Sequence, residues 1–263
     1  NQNARFDKFI TLFPFDTLQA EKHAVVPDVH YNLLSKATLS SLGVQCPQYA
    51  SYNLNKVNIE DINLPRKYPY LIKVSHGLSG EGTYIIKTES DLNYCHSELK
   101  KYLASKLVTD EGNYLGGIIN YRQTDMSKFF SMITAIGEYA HNKGYFGAIG
   151  FDVLEDRDGE LFVIDANFRV NGSTPLCLQR HNLLKLGKGV AKYSSDYRIA
   201  GTLESTFKTL QPELENSDFI ILSAQEINKG SDYTDIYGII AANAIHEIKS
   251  IEQKLQQKGL LIV

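Results

Sequence analysis

The sequence predicts an α+β fold, with antiparallel strand pairs set between amphipathic helices. Three observations predict it. Residues 146–154 and 160–167 are apolar, β-rich runs joined by Asp156-Arg157-Asp158-Gly159, a turn by composition. Residues 69–74 and 83–87 are strand-like and enclose a Gly/Ser segment, 75–82. Apolar residues recur at helical spacing over 29–42, 91–105, 125–142 and 244–257.

Composition narrows the function classes before any motif is read. With 263 residues, 43% apolar and 22% charged, the chain can bury a substantial core as one large or two smaller domains. A net charge of −3 leaves no electrostatic footprint for nucleic acid or a membrane surface, so small-molecule chemistry is the expectation. Cys46, Cys95 and Cys177 are odd in number and widely spaced, as reduced intracellular thiols are. No signal peptide or membrane-length apolar run is present, and a cytoplasmic location is expected. The chain begins at Asn1 without an initiator methionine, so a preceding segment is expected to be missing.

Taken in order, residues 1–27 contain Pro14 and Pro27 and read as an extended entry. Asp28 suits the N-cap of a helix over 29–42, with Leu33, Leu34, Ala37 and Leu42 inward, Lys36 off that stripe and Gly43 as the stop. The polar stretch 53–67 reads as a loop. Lys73 then lies inside a buried, apolar strand over 69–74, where an ammonium needs an anion. The following segment contains Ser79, Gly80 and Gly82, and glycines let backbone N–H groups approach phosphate oxygens. It is neither a Walker loop nor a dinucleotide fingerprint.

The helix over 91–105 carries Leu92, Cys95, Leu99 and Leu103 on one side, and that over 125–142 carries Phe129, Met132, Ile133, Ile136 and Tyr139. After residue 167, Arg169, Asn171 and Ser173 precede a helix with Pro175 in its first turn, which together form a candidate anion site. The alternative there is a simple helix cap beside a surface arginine. His181 is given no role. Strands over 218–223 and 233–241 and a helix over 244–257, striped by Ile245, Ile248, Ile251 and Leu255, complete the chain.

The chemistry concentrates in 144–174. Alternation along a strand puts Asp165 and Asn167 on one face, with Phe162 and Ile164 on the other. A short turn at 156–159 brings Asp152 to the Asp165 face. Two carboxylates and an amide, without His or Cys, suit a hard cation such as Mg2+, which usually arrives with phosphates. The plainer alternative is an edge hairpin with solvated acids. Against it, Asp152 sits within a run of Ala, Ile, Gly, Phe, Val and Leu.

Asp152, followed by Asp165-Ala166-Asn167 and Arg169, resembles the metal-binding signature of the ATP-grasp ligases, usually Asp and then Glu-x-Asn-Pro-Arg. Asp165 stands where Glu is usual and Phe168 where Pro is usual. The shorter Asp can coordinate a metal but is less able to bridge two. The Lys73 strand and its glycine-rich loop match the family's second landmark. The resemblance covers about 29–174.

It implies an ATP-grasp fold with two α/β subdomains enclosing a nucleotide: an entry segment and linker helix over 1–50, a small subdomain over 51–110, and a large one over 111–263. By the same resemblance, Lys36, Lys73, Ser79, Gly80 and Gly82 contact ATP, and Asp152, Asp165 and Asn167 hold Mg2+ or Mn2+. Arg169 and Lys73 are the catalytic candidates, and Arg169, Asn171 and Ser173 the substrate-binding ones. The implied reaction joins a carboxylate to an amine, amino acids or peptides among them, through an acyl phosphate. A nucleotide-binding pseudoenzyme and an ATP-grasp kinase or phosphotransferase are the alternatives, and a homodimer is one option for assembly.

One stretch departs from the family. Between the helix ending near 105 and Arg122 the sequence is too short for the expected antiparallel strands, so part of the central sheet is missing. An internal gap near 108–113 is the expectation, with a natural deletion as its rival. The adenine-contacting residues therefore have no sequence assignment.

Overall fold

The computed structural model describes residues 8–15, 17–53, 56–57, 61–65, 67–77, 82–105, 117–122, 126–226 and 232–262. The expected gap near 108–113 lies outside them. The chain divides into two compact units, Asn1–Tyr114 with Phe129–Val170 and Leu115–Lys128 with Asn171–Val263.

In the first unit, the single helix expected over 29–42 is two pieces: α1 (Pro27–Leu34) and a 3-10 turn, Lys36–Ser41. Proline occupies the first helical turn, where its missing N–H has no partner to lose, so Asp28 lies inside α1 instead of capping it. The break falls at Ser35, which is extended at φ −68° and ψ 131°. Its hydroxyl accepts from the Ala37 N–H, and Thr38 Oγ1 donates to the Asn32 carbonyl, satisfying groups that the interruption exposes. Leu33, Leu34 and Leu42 are buried as the stripe required, whereas Ala37 is exposed.

Strands β1 (Tyr70–Lys73) and β2 (Thr83–Ile86) pair antiparallel. Ile86 on this hairpin packs with Cys95 and Leu99 of α2 (Glu89–Ser105). Asp91 Oδ2 accepts from the Lys87 and Thr88 N–H groups while Thr88 Oγ1 accepts from Asp91 N–H, so the start of α2 is capped reciprocally. Helix α3 (Phe130–Asn142) buries Met132, Ile136 and Ala140, and Ile133 stands at its exposed edge. These residues share a core with Leu33, Leu42, Val163 and Phe168.

The second hairpin pairs β4 (Gly150–Glu155) with β5 (Leu161–Asn167). Residues 146–149, expected in the strand, lie before it. Asp156 makes the turn: its Oδ1 accepts from the N–H groups of Asp158 and Glu160, and Gly159 takes the left-handed φ of +83°.

Within the second unit a five-stranded antiparallel sheet runs in the order β3 (Gly117–Asn120), β6 (Val190–Ala200), β8 (Tyr233–Ala242), β7 (Phe219–Glu226), with β9 (Leu261–Ile262) also on β6. Helices α5 (Leu203–Glu215) and α6 (Ile245–Gln257) bury Leu210, Ile248, Ile251 and Leu255 against Tyr197, Ile199, Ile236 and Ile240. Leu176 and Leu183 of α4 (Thr174–Lys185) pack with Ala191, Tyr193, Ile239 and Ala241. Alternate residues of β8 thus serve two cores, which explains its nearly continuous apolar run. Of the expected α6 stripe, Ile245 is exposed at the first residue. Among the described residues, no helix is long and apolar enough to cross a membrane.

Candidate functional site

The β4–β5 register sets Asp152 directly across from Asp165, and Gly150 across from Asn167. Paired residues share a face of the hairpin, so the two carboxylates and the amide fall on one side as alternation implied. Alternation fails further along. The register shifts between Asp152 and Val153, leaving Ile164 as the extra residue of a β-bulge. Phe162, across from Leu154, consequently belongs to the carboxylate face and not, as expected, to the opposite one. Val163 and Ala166, three positions apart, are both buried in the core.

Lys36 reaches this face from the 3-10 turn. Its Nζ lies 2.7 Å from both carboxylate oxygens of Asp165, a pair whose side chains are only 20% and 17% exposed. Its backbone N–H donates to the Ser75 carbonyl at 2.7 Å, tying the turn to the chain just beyond β1. Thus a lysine that is off the apolar stripe is held at the carboxylates by a fixed backbone.

Lys73, at the end of β1, is exposed and not buried as expected, because it stands on the uncovered face of its hairpin; it lies 3.4 Å from the Ile164 carbonyl, a long contact that leaves its ammonium largely uncommitted. Val74 N–H donates to the Gly82 carbonyl at 2.9 Å and closes the base of the loop. Gly82 has a φ of +66°, and a Cβ there would meet Val74 Cγ2 at 2.2 Å, so both conformation and space demand glycine. Ser79 and Gly80 lie outside the described residues. Beyond the loop base, His76 stacks on Tyr31 with ring centroids 4.2 Å apart and contacts the Tyr31 carbonyl through Nε2.

Asn167 donates from Nδ2 to Asp165 Oδ2 at 3.3 Å and accepts from Arg169 at Oδ1. Arg169 also donates to the Val170 carbonyl. Its environment removes hydration and lowers the guanidinium pKa, an effect that Asp165 and Asp152 oppose. Asp152 is exposed at the hairpin surface, yet the protein around it strips enough water to raise its carboxyl pKa above the ordinary value. Repulsion from Asp165 adds to the rise, while Lys36, Lys73 and Arg169 counter it.

Asn171 and Ser173 belong to the second unit. Asn171 Oδ1 accepts from the N–H groups of Ser173 and Thr174 and from Thr174 Oγ1. The amide oxygen of Asn171 is therefore engaged in closing the start of α4.

Sequence reading missed an apolar face beside Lys73. Leu71 pairs with Ile85 two residues along from the Lys73–Thr83 pair, so all four side chains share one face of the β1–β2 hairpin. Leu71 is 57% exposed and Ile85 58%, while Tyr70, Ile72, Tyr84 and Ile86 take the packed side. The signal was present in the alternation of Leu71 and Lys73, but its meaning depends on which face is covered.

The oxygen donors fit a hard cation. Among the described residues no group of three or more His, Cys, Asp or Glu gathers as a ready-made metal cage. A cation held by Asp152 and Asp165 must complete its shell with other oxygens, which is the habit of Mg2+ with phosphates.

Comparisons with known proteins agree with this fold. The family described as "L-aspartate–L-methionine ligase, ATP grasp" matches residues 102–167, which include Asp152, Asp165 and Asn167. Among solved structures, N5-carboxyaminoimidazole synthetase from Staphylococcus aureus, complexed with ADP, is 14% identical at a TM-score of 0.54, covering 93% of this chain and 78% of its own. A Rhizobium etli pyruvate carboxylase variant is 13% identical at a TM-score of 0.56; the match covers 90% of this chain but 28% of that one. An L-amino acid ligase from Bacillus licheniformis is 12% identical at a TM-score of 0.50, covering 89% of this chain and 73% of its own. With the lysine strand, the glycine at the base of its loop and the Asp152–Asp165 hairpin in one unit, and this agreement with solved structures, the chain has an ATP-grasp fold.

Proposed function

We propose that the chain is an ATP-dependent carboxylate–amine ligase that forms an amide or peptide bond and releases ADP and phosphate. The observation that carries this reading is a charge imbalance: Lys36 pairs with Asp165, Arg169 bonds Asn167 and Lys73 reaches the Ile164 carbonyl, so three cations gather on the hairpin that pairs the carboxylates Asp152 and Asp165. Three cations around two carboxylates repel a lone divalent ion. They attract one that arrives with a polyphosphate.

In this reading Asp152 and Asp165, with the Asn167 oxygen, hold Mg2+ or Mn2+, which when bound neutralises phosphate charge. Lys73 and Lys36 bind phosphate oxygens, and the loop of Ser79, Gly80 and Gly82 offers backbone N–H groups to them. Leu71 and Ile85 supply an apolar platform for the purine beside Lys73. Arg169 orients the substrate carboxylate and stabilises the charge that develops on it. That carboxylate attacks the γ-phosphorus as ADP leaves. The amine then attacks the acyl carbon, phosphate departs, and the ammonium proton passes to solvent.

Amino acids are the proposed substrates. The family name matched over 102–167 and the amino-acid ligase among the fold neighbours support that choice. Asn171 and Ser173 remain proposed substrate-binding residues, and the proposed subdomains are 51–110 and 111–263, entered through 1–50. The test is ADP release from ATP and Mg2+ with pairs of amino acids, followed by product mass. ADP formation that needs both an acid and an amine, with a dehydrated conjugate as product, is expected. Release without an amine and a phosphorylated acceptor would mean a kinase. Nucleotide binding without turnover on any pair would mean a pseudoenzyme.

A further inference from the structure

We propose that Lys36 is a gate on the metal site: it occupies Asp165 until a phosphate chain draws its ammonium away, so that divalent metal and nucleotide bind together and neither binds fully alone. The inference rests on the proposed metal site at Asp152 and Asp165 and concerns what stands in front of it.

Both oxygens of Asp165 face the same ammonium at 2.7 Å, and the Asn167 amide N–H takes a further contact on Oδ2. A cation on Asp165 needs at least one of those oxygens. It would then stand within a few ångströms of a positive charge in a shielded site, where repulsion at this separation is about 4 kcal/mol for unit charges. Metal and Lys36 therefore compete for one carboxylate.

Moving Lys36 does not require the fold to move. Its backbone is fixed by the N–H bond to Ser75 and by the Ser35 hydroxyl closing the turn, while four methylenes carry the charge. The side chain can swing about that anchor to an anion nearby. The anchor itself, Ser75, lies two residues beyond Lys73, so the gate is fixed beside the end of β1 that carries a second cation. A triphosphate supplies the compensation that a bare metal lacks: it gives Lys36 a new partner and brings negative charge to a cluster in which cations outnumber carboxylates. The coupling is reciprocal, so removing the gate should loosen the dependence of each ligand on the other.

The test uses the full chain and two probes separately: Mn2+ alone, followed by electron paramagnetic resonance of the free ion, and ATP in excess EDTA, followed by calorimetry. Lys36→Met should bind Mn2+ alone at least tenfold more tightly than the wild type, about 1.4 kcal/mol. It should bind metal-free ATP at least fivefold more weakly. Lys36→Arg, which keeps the charge and guards against a trivial loss of folding, should bind Mn2+ as weakly as the wild type. Asp165→Asn in the Lys36→Met background should remove the gain. Unchanged Mn2+ affinity in Lys36→Met, with binding still sensitive to Asp165→Asn, would overturn the gate and keep the metal site. Mn2+ binding insensitive to Asp165→Asn in every background would overturn the metal site, and the gate with it.

Discussion

His30 donates its Nε2 proton to the carbonyl of Phe168 at 3.0 Å, joining α1 to the residue between Asn167 and Arg169. His30 is 3% exposed and its ring lies against Tyr145, 5.9 Å between centroids. Burial lowers the imidazole pKa below the ordinary value, the bond to Phe168 partly restores it, and His23 lowers it further.

A depressed histidine makes stability depend on pH with a definite sign. Below about pH 6.5 the unfolded chain takes up a proton that the folded chain refuses, so stability is full above that pH and falls as pH drops toward the folded-state pKa. Urea midpoints from pH 8 to pH 5 should show this decline. His30→Gln should cost about 1–3 kcal/mol at pH 8 through the buried carbonyl it leaves poorly paired, and its decline should be shallower. A wild-type midpoint that stays level to pH 5 would rule out a buried neutral His30.

The Gly82–Val74 contact predicts a local strain. Gly82→Ala forces a Cβ to within 2.2 Å of Val74 Cγ2 and holds an L-residue at φ +66°, a conformation that by itself costs about 1–2 kcal/mol. Val74→Ala added to Gly82→Ala should recover the steric part and leave the conformational part. Denaturation of the single and double variants measures this, and a double variant as unstable as the sum of two independent losses would contradict it.

How much of this was legible in the sequence depended on how local the cause was. The 156–159 turn was, because Asp156 hydrogen-bonds its own neighbours and Gly159 takes the left-handed conformation. The opposition of Asp152 and Asp165 followed from that turn. The bulge at Ile164 did not, since nothing in an apolar run marks which residue will lose its partner. Strand β6, the hub of the five-stranded sheet, escaped sequence reading because its residues pack into two cores and show no single-face alternation. Pro212 inside α5 obscured that helix as well. The break at Ser35, which positions Lys36, depends on two short polar side chains that read equally well as part of a helix.

The proposed metal set predicts a loss of chemistry without a loss of fold. Asp165→Ala removes one of two paired carboxylates and the partner of Lys36. Mg2+-dependent ADP release should fall to background while circular dichroism is retained. Turnover within about threefold of wild type, roughly 0.65 kcal/mol, would sink the assignment of Asp165 to the metal.

In the second unit, Gly238 accepts the ring of Phe219, and a Cβ at Gly238 would meet Phe219 Cζ at 2.5 Å. Phe219 is fully buried and meets Tyr197 edge-on at 5.6 Å. Phe219→Ala should cost about 3–5 kcal/mol from lost burial and an unfilled cavity. Gly238→Ala should destabilise the wild type but cost much less beside Phe219→Ala, because the obstructing ring is gone. Equal costs in the two backgrounds would show that the close approach is not the reason for glycine.

The exposed pair Leu71 and Ile85 separates a binding role from a structural one. Both point away from the core formed by Ile86, Cys95 and Leu99, so a serine at either position removes little packing and should leave the urea midpoint nearly unchanged. If their face receives the purine, each loses about 1–2 kcal/mol of apolar contact on truncation, a weakening of ATP binding of about 5- to 30-fold. Lys73→Met should also weaken ATP, but with a difference: its effect should be larger for triphosphate than for adenosine, because Lys73 acts on phosphate charge. Leu71→Ser and Ile85→Ser should weaken both to the same degree. Competition titrations with ATP and adenosine distinguish these patterns. Losses confined to ATP in the serine variants would move the purine off this face and leave the apolar pair without a nucleotide role.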